Sequence, residues 1–190
     1  MKNTMKILSG VMLVFTLASC GGSSTAESGD TSAVVSADFN DDDVMFAQMM
    51  IPHHEQAIEM SDIALDPTVG AGEAVKNLAT KIKAGQDPEI QQMTDLLTSW
   101  KKSLTMDESM DHSDMMSGML SAEELSRLST LRGAEFDRAW LTGMIAHHEG
   151  AIEMAEAAQK DGSSSAVRDL ANEIIRGQEA EIAEMRNLLT

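Results

Sequence analysis

Four of the chain's five histidines occur as two adjacent pairs inside two nearly identical blocks. The pairs are His53-His54 and His147-His148, and the second block follows the first by 94 residues. In each block a methionine stands three residues before the pair, and another stands six residues after it. Imidazole and thioether are ligands for borderline and soft transition metals. The two blocks therefore indicate a metal-binding function.

The blocks belong to a longer internal repeat. Residues 43–60 agree with residues 137–154 at 10 of 18 positions, and residues 78–97 agree with residues 170–189 at 10 of 20. The register slips between these stretches, which predicts loops over Ser61 to Gly72 and Asp161 to Ser165. Each repeat is therefore predicted to be a helix, a turn and a second helix.

The first helix of repeat one is predicted to begin near Asp41 to Asp43, where carboxylates suit the positive end of a helix, and to end at about Leu65. At roughly 100° per residue, one narrow face collects the large apolar residues together with one histidine of each pair. That face holds Phe46, Met50, His53, Ala57 and Met60 in the first copy, and Trp140, Met144, His147, Ala151 and Met154 in the second. His53 is thus expected to point inward, with His54 beside it.

The second helix is predicted over about Glu73 to Lys102. Pro52 and Pro88 would interrupt these helices, but their equivalents are Ala146 and Ala180, so we expect kinks rather than breaks. The inward face of the second helix holds Val75, Ala79, Ile82, Gln86, Glu89, Ile90, Met93 and Leu97, and Gln178, Glu181, Ile182, Met185 and Leu189 repeat its later part. Strand patterns are absent, and the fold class is predicted to be all-α, a four-helix bundle of two tandem helix-turn-helix repeats.

The amino terminus predicts export. Residues 1–19 form a basic and then apolar signal peptide, too short for a membrane-spanning helix. It ends at Cys20, the only cysteine, in a sequence that resembles the lipoprotein signal of bacteria; an ordinary signal peptide with an incidental cysteine is the alternative. Residues 20–37 are rich in small and polar residues and are predicted to be a flexible tether to a domain at 38–190. The expected location is the bacterial cell envelope, with a lipid anchor in the membrane.

The connection between the repeats, residues 103–120, is unusually rich in methionine. Its candidate ligands are Met106, Met110, His112, Met115, Met116 and Met119. Their neighbours are mostly Asp and Ser, too polar for a core, so the thioethers are predicted to bind Cu(I), with imidazole adding competence for Cu(II). The alternative is a linker with chance methionines, or an apolar patch that packs on the bundle. Repeat one spans 38–102 and repeat two 121–190.

Charge and motif content limit the function further. The formal net charge of −17 argues against nucleic acid or anionic lipid as a partner and is compatible with cations. The sequence has no arrangement of a nucleophile with its base, no glycine loop for phosphate and no basic patch. It therefore does not predict an enzyme.

The repeated Met-Ile-Pro-His-His and Ala-Ile-Glu-Met blocks, together with Gly85-Gln86 and Gly177-Gln178, resemble the domain of unknown function 305 family (DUF305) over residues 38–190. The resemblance implies a ferritin-like four-helix bundle. Some members are periplasmic copper-binding proteins of the CopM type, which implies copper as the metal, held by histidine and methionine, and copper-trafficking proteins as partners. By position, the implied ligands are Met50, His53, His54, Met60, Met93, Met144, His147, His148, Met154 and Met185. The copies differ at Gln56, which is Gly150 in the second.

Two other functions stay open at this point. A ferritin-like di-metal oxidoreductase needs a Glu-x-x-His pair on each of two helices, but Met50 and Met144 occupy those glutamate positions. A structural helical lipoprotein would keep its histidines as hydrogen-bonded core residues, with His53 satisfied by Glu89 or Gln86. In the metal-binding interpretation, Glu89 and Glu181 instead orient the ligand imidazoles by hydrogen bonds. Glu55, Glu59, Glu149 and Glu153 are expected on the solvated face.

Overall fold

The computed structural model describes residues 38–106 and 116–190, which fold into five helices without a strand. Their bounds are Asp41–Leu65 (α1), Glu73–Ser99 (α2), Ala122–Thr130 (α3), Gly133–Asp161 (α4) and Ser165–Leu188 (α5). The four long helices make the predicted four-helix bundle, and the short α3 was not predicted. None of the helices in these ranges is both long and apolar enough to cross a membrane. The predicted signal peptide, the tether and Cys20 lie outside the described residues.

Side chains cap the amino-terminal ends of α1, α3 and α5. Asn40 caps α1, since its side chain accepts the Asp43 backbone N–H while the Asp43 carboxylate accepts the Asn40 N–H. Both α1 and α2 continue through their internal prolines. The predicted loop from Ser61 was wrong at its start, because residues 61–65 are still helical and the turn occupies 66–72. Helix α2 ends at Ser99, three residues before the predicted end.

Each repeat accepts hydrogen bonds from the turn between the two helices of the other repeat. Helix α1 packs on α2, α4 packs on α5, and the main contact between the repeats joins α1 to α4. The buried carboxylate of Asp43 accepts the backbone N–H groups of Ser163 and Ser164, both at 3.0 Å. Its repeat equivalent Asp137 accepts the N–H of Gly72 at 3.0 and 3.1 Å. The internal two-fold symmetry read from the sequence is thus expressed as a reciprocal hydrogen-bonding arrangement.

The apolar core is divided into two clusters, one toward each end of the bundle. The first contains Ala57, Met60, Ala64, Val75, Leu78, Ile82, Phe136, Trp140, Met144, Ile182 and Met185, among others. The second contains Val44, Phe46, Met50, Ile51, Met93, Leu97, Ala151, Ala155, Val167, Leu170 and Ile174, among others. On each long helix the residues between the two clusters are polar, so a polar layer crosses the middle of the bundle.

The end of the connection, residues 117–120, lies on the bundle as a strap. The Gln56 side chain fixes it, donating to the Leu120 carbonyl at 2.9 Å and accepting the Leu120 N–H at 2.7 Å. The strap approaches α4 closely, because a β-carbon at Gly150 would overlap the Ser117 carbonyl. Gly118 has φ +82°, a conformation that favours glycine, and packs on the α4 backbone. The strap thus explains why the copies differ at Gln56 and Gly150.

Replacing Gly150 by Ala tests this close approach. A Gly→Ala change inside a helix normally stabilises by about 0.5–1 kcal/mol, but at Gly150 the added methyl must displace the strap. We expect G150A to lower the free energy of unfolding by about 1–3 kcal/mol, as overpacking does. Chemical denaturation measures the difference. The control is G177A on α5, where a β-carbon meets nothing within 4 Å and should be neutral or stabilising. A G150A protein as stable as G177A would contradict the strap contact.

Candidate metal centre

The polar layer between the two apolar clusters contains two residues from each long helix, and we call it the histidine layer. It consists of His53 and His54 on α1, Gln86 and Glu89 on α2, His147 and His148 on α4, and Gln178 and Glu181 on α5. The two halves are related by the internal repeat. The layer therefore places both histidine pairs at one level of the bundle.

All four histidines are buried, with at most 1% of their surface exposed. Consecutive helical residues point about 100° apart, so two adjacent side chains are both buried only where a helix has neighbours on two sides. His54 faces α2 and His53 faces α4, where its ring lies 3.9 Å from that of His147, centroid to centroid. The expected inward position of His53 is confirmed. The four glutamates expected on the solvated face are exposed.

Each pair has one histidine hydrogen-bonded to a glutamate. His54 Nε2–H donates to Glu89 Oε2 at 2.9 Å, and His148 Nε2–H donates to Glu181 Oε2, also at 2.9 Å. The predicted hydrogen bonds from these glutamates to histidine are confirmed. The alternative in which Glu89 or Gln86 satisfies His53 was wrong, because His53 Nε2–H donates at 3.1 Å to the carbonyl of a strap residue.

The sequence did not predict a role at the buried site for this strap residue, Ser117. Serine in a polar connection carries no signal for a role at a buried site, and the contact uses only its backbone carbonyl. The repeat pattern offers no clue either, because the connection is not repeated.

The hydrogen bonds leave a metal-binding nitrogen free on each ring. Because a carboxylate or carbonyl oxygen only accepts, the proton of His53, His54 and His148 lies on Nε2, and Nδ1 carries the lone pair. These Nδ1 atoms have no hydrogen-bond partner, and neither nitrogen of His147 has one. Metal-binding histidines typically donate their other N–H to a carboxylate or carbonyl. The unpartnered nitrogens are therefore the candidate ligand atoms of these rings.

Burial favours the neutral form of His53 and His147. Desolvation lowers the pKa of His53 from 6.5 to about 4, against the opposing effect of the Ser117 carbonyl. Desolvation, reinforced by the nearby His53, also lowers the pKa of His147 well below its usual value. A neutral imidazole is the form that binds a metal ion, so protons compete little with metal at neutral pH.

Methionines flank the layer on both sides. Met50 and Met93 lie in the second apolar cluster, and Met60, Met144 and Met185 lie in the first; all five are fully buried. Met50 and Met144 stand three residues before a layer histidine, which is about one helical turn. Met154 is only half-buried and packs at the edge of the second cluster. The methionines that the sequence predicted as ligands on the helices thus lie on both sides of the layer, and Met154 is the least buried of the six.

Three of the candidate ligands in the methionine-rich connection lie within the described residues, and three do not. Met106, Met116 and Met119 are half-buried, whereas Met110, His112 and Met115 lie outside the described residues. Met119 lines a depression on the bundle beside Ala139 and Gly143. This position agrees with the alternative interpretation of the connection, an apolar segment that packs on the bundle.

Within residues 38–106 and 116–190, no group of three or more His, Cys, Asp or Glu side chains is arranged to hold a metal ion. The two layer glutamates each bond one histidine and are not gathered into a carboxylate cluster. A di-iron site needs four carboxylates with its two histidines. The described residues do not show that set of four carboxylates.

The lowered histidine pKa values predict a pH-dependent stability of the metal-free protein. The unfolded chain binds protons on His53 and His147 at higher pH than the folded chain does. The contribution of His53 is therefore complete above about pH 6.5 and is lost as pH falls toward about 4, and the contribution of His147 is likewise lost as pH falls below about 6.5. For His53 alone we expect a loss on the order of 3 kcal/mol in unfolding free energy.

Denaturant titrations with a chelator present, at pH 7.5 and at about pH 4.5, measure this loss. The carboxylates also titrate in this range, so the comparison is with H53Q/H147Q, whose loss should be smaller. H112Q, which changes the histidine outside the two pairs, is the matched control and should behave like the wild type. An equal loss of unfolding free energy between pH 7.5 and about pH 4.5 in all three proteins would contradict the neutral, buried state of His53 and His147.

Several solved structures resemble this chain. A DUF305 protein named as secreted, from Streptomyces coelicolor, is 31% identical with a TM-score of 0.72 and covers 78% of this chain and 91% of its own. A DUF305 fragment from Deinococcus radiodurans is 32% identical with a TM-score of 0.70 over 79% of this chain and 96% of its own. CopM in its Cu(I)-bound form is 32% identical, TM-score 0.63, over 77% and 94%. No curated protein sequence matches significantly.

The family model described as "Domain of unknown function (DUF305)" matches residues 43–189, which include all five helices except the first two residues of α1. The matched range contains both histidine pairs and both layer glutamates. The chain belongs to the DUF305 family.

Proposed function

We propose that the protein binds copper in its histidine layer and serves in copper sequestration, resistance or trafficking. The observation that carries this proposal is the free Nδ1 on each of four buried imidazoles, three of which have Nε2 held by a glutamate or a carbonyl. Leaving so many buried polar atoms without partners costs about 1–3 kcal/mol each. A purely structural histidine core gives no reason for that cost, whereas a metal ion satisfies the ring nitrogens directly.

The donor types favour copper over harder metals. Imidazole suits several transition metals, but thioether selects soft ions such as Cu(I). Met50 and Met144 stand one turn from the layer and are buried, so they are the nearest thioether candidates by position. Cu(I) also accepts low coordination numbers, which suits a site without a carboxylate cluster. The remaining candidates, including Met60, Met93, Met154, Met185 and the connection methionines, surround this centre.

The comparisons support the same metal. CopM structures hold Cu(I), Cu(II) or silver, and CopM shares about a third of its residues with this chain. We infer that Cu(I) is bound in the layer, that Cu(II) is also accepted through imidazole, and that copper-trafficking proteins deliver or receive the ion. The protein acts by binding, without catalysis.

The test is an anaerobic titration of Cu(I) against a competing chelator. We expect tight binding by the wild type. Replacing all four layer histidines by Gln should lower the number of tightly bound Cu(I) ions by those that the layer holds, because the imidazole ligands are removed. Replacing Met106, Met110, Met115, Met116 and Met119 by Leu keeps the strap backbone that holds His53, so it should retain the layer ion and lower the total number of ions if the connection binds its own.

The glutamates supply a finer test in the same titration. E89Q and E181Q keep the side-chain shape but weaken the hydrogen bond that orients His54 or His148, so the affinity should fall about 10- to 100-fold. The controls are E55Q and E149Q, which change exposed glutamates of the same helical blocks and should leave the affinity unchanged. An unchanged number of tightly bound Cu(I) ions in the protein without layer histidines would refute the proposed centre.

We further propose that the protein is an exported lipoprotein, anchored in the bacterial envelope through Cys20. The supporting observations are the apolar leader, the cysteine at its end and the polar tether that follows. In cells, the wild type should partition into the detergent phase and C20A into the aqueous phase, because the thiol that carries the lipid is lost. S24A, a change a few residues further along, is the control. Detergent partitioning of C20A equal to that of the wild type would exclude the anchor.

A further inference from the structure

A second group of methionines lies outside the histidine layer. The amino-terminal half of α1 and the carboxyl-terminal half of α4 border a cavity of about 290 Å³, lined by Met45, Met49 and Met154. We call it the methionine groove. Met45 and Met49 lie outside the helical face that contains Met50 and His53, so the helical pattern gave no reason to expect them at a site.

Helical geometry places the three thioethers side by side. Met45 and Met49 are four residues apart on α1, so they occupy neighbouring positions on one face. Helices α1 and α4 run in opposite directions, since Met60 on α1 accepts from Trp140 on α4 while His53 lies against His147. This register brings Met154 opposite the start of α1. Met49 is 5% exposed, and Met45 and Met154 are half-buried, so the sulfur atoms border a cavity rather than fill a closed core.

The internal repeat shows that the helix contact itself does not require methionine here. The repeat equivalents of Met45 and Met49 are Ala139 and Gly143. On that face the strap covers the small residues, and a β-carbon at Gly143 would lie 3.6 Å from Leu120. The same structural position is thus closed by small residues and the strap in one repeat, and bordered by thioethers in the other. The methionine groove is a departure from the repeat.

The charge around the groove suits a cation. Asp42, Glu153 and Asp161 line it, and no Lys or Arg does. Lys160 lies 3.6 Å from Asp161 on the solvent side, where exposed pairs contribute little. An anion or an acidic peptide would be repelled, whereas a cation is concentrated at the groove. Three thioethers then select a soft cation over the hard ions that carboxylates alone would bind.

The groove adjoins the histidine layer through one residue. Ser117 lines the groove, and its carbonyl accepts the Nε2–H of His53 at 3.1 Å. This strap residue is therefore shared between the groove and the histidine layer.

We propose that the methionine groove is a separate binding site for a soft monovalent cation, Cu(I) or Ag(I), with Met45, Met49 and Met154 as ligands. The three carboxylates supply negative charge, and the thioethers supply the bonds. The site stands on its own donors and does not depend on occupancy of the histidine layer.

Silver ion is the probe, because Ag(I) needs no reductant. The protein is labelled with ¹³C in the methionine methyl groups and titrated with Ag(I), while NMR follows each assigned methyl signal. We expect the signals of Met45, Met49 and Met154 to shift together. The M45L/M49L/M154L variant preserves apolar volume and should bind one equivalent of Ag(I) fewer. I152L, which changes a partly buried residue of α4 that has no sulfur and does not line the groove, should lose none.

Circular dichroism confirms that each variant is folded before titration. A protein lacking all four layer histidines should keep the groove equivalent, with the same three signals shifting, so failure of the copper proposal and failure of this one are separable. Unshifted Met45 and Met49 signals at saturation, or an unchanged Ag(I) count in M45L/M49L/M154L, would overturn the groove site. An equal loss in I152L would overturn its specificity.

Discussion

The burial of a polar layer in the middle of an apolar bundle is the constraint on which the rest of the structure depends. Imidazole and carboxylate lose hydration when buried, and this cost is offset only where they find partners. The His54–Glu89 and His148–Glu181 hydrogen bonds supply partners within each repeat. Both hydrogen bonds are 2.9 Å long, so the two repeats satisfy a buried histidine and its glutamate in the same way. The remaining ring nitrogens are left for a ligand.

The connection between the repeats completes this layer, although it belongs to neither repeat. It passes over α4 close enough to require Gly150, is fixed by Gln56, and places the Ser117 carbonyl on His53. The two-fold symmetry is therefore broken at the centre of the layer. His53 has a partner for Nε2, whereas its repeat equivalent His147 has none for either nitrogen. The two halves of the histidine layer are therefore not equivalent.

Methionine side chains lie both in the core of the bundle and at its surface. Buried methionines such as Met50 and Met144 adjoin the layer from opposite apolar clusters, while Met45 and Met49 border a cavity open to solvent. A flexible, polarizable side chain serves both as packing and as a soft ligand, so methionine can be placed at both depths without weakening the core. The acidic surface around these sites favours cations over anionic partners.

The sequence by itself determined the repeat, the four long helices, the inward histidines and the glutamates that bond them, because helical periodicity and duplication are local patterns. It did not determine α3 or the strap, because those depend on which surfaces meet. The partner of His53 is the clearest case: Glu89 and Ser117 are both far along the chain, and only packing decides between them. The tertiary structure also decided that Met45, Met49 and Met154 share one groove, since two separate helices must be brought into register before their side chains can meet.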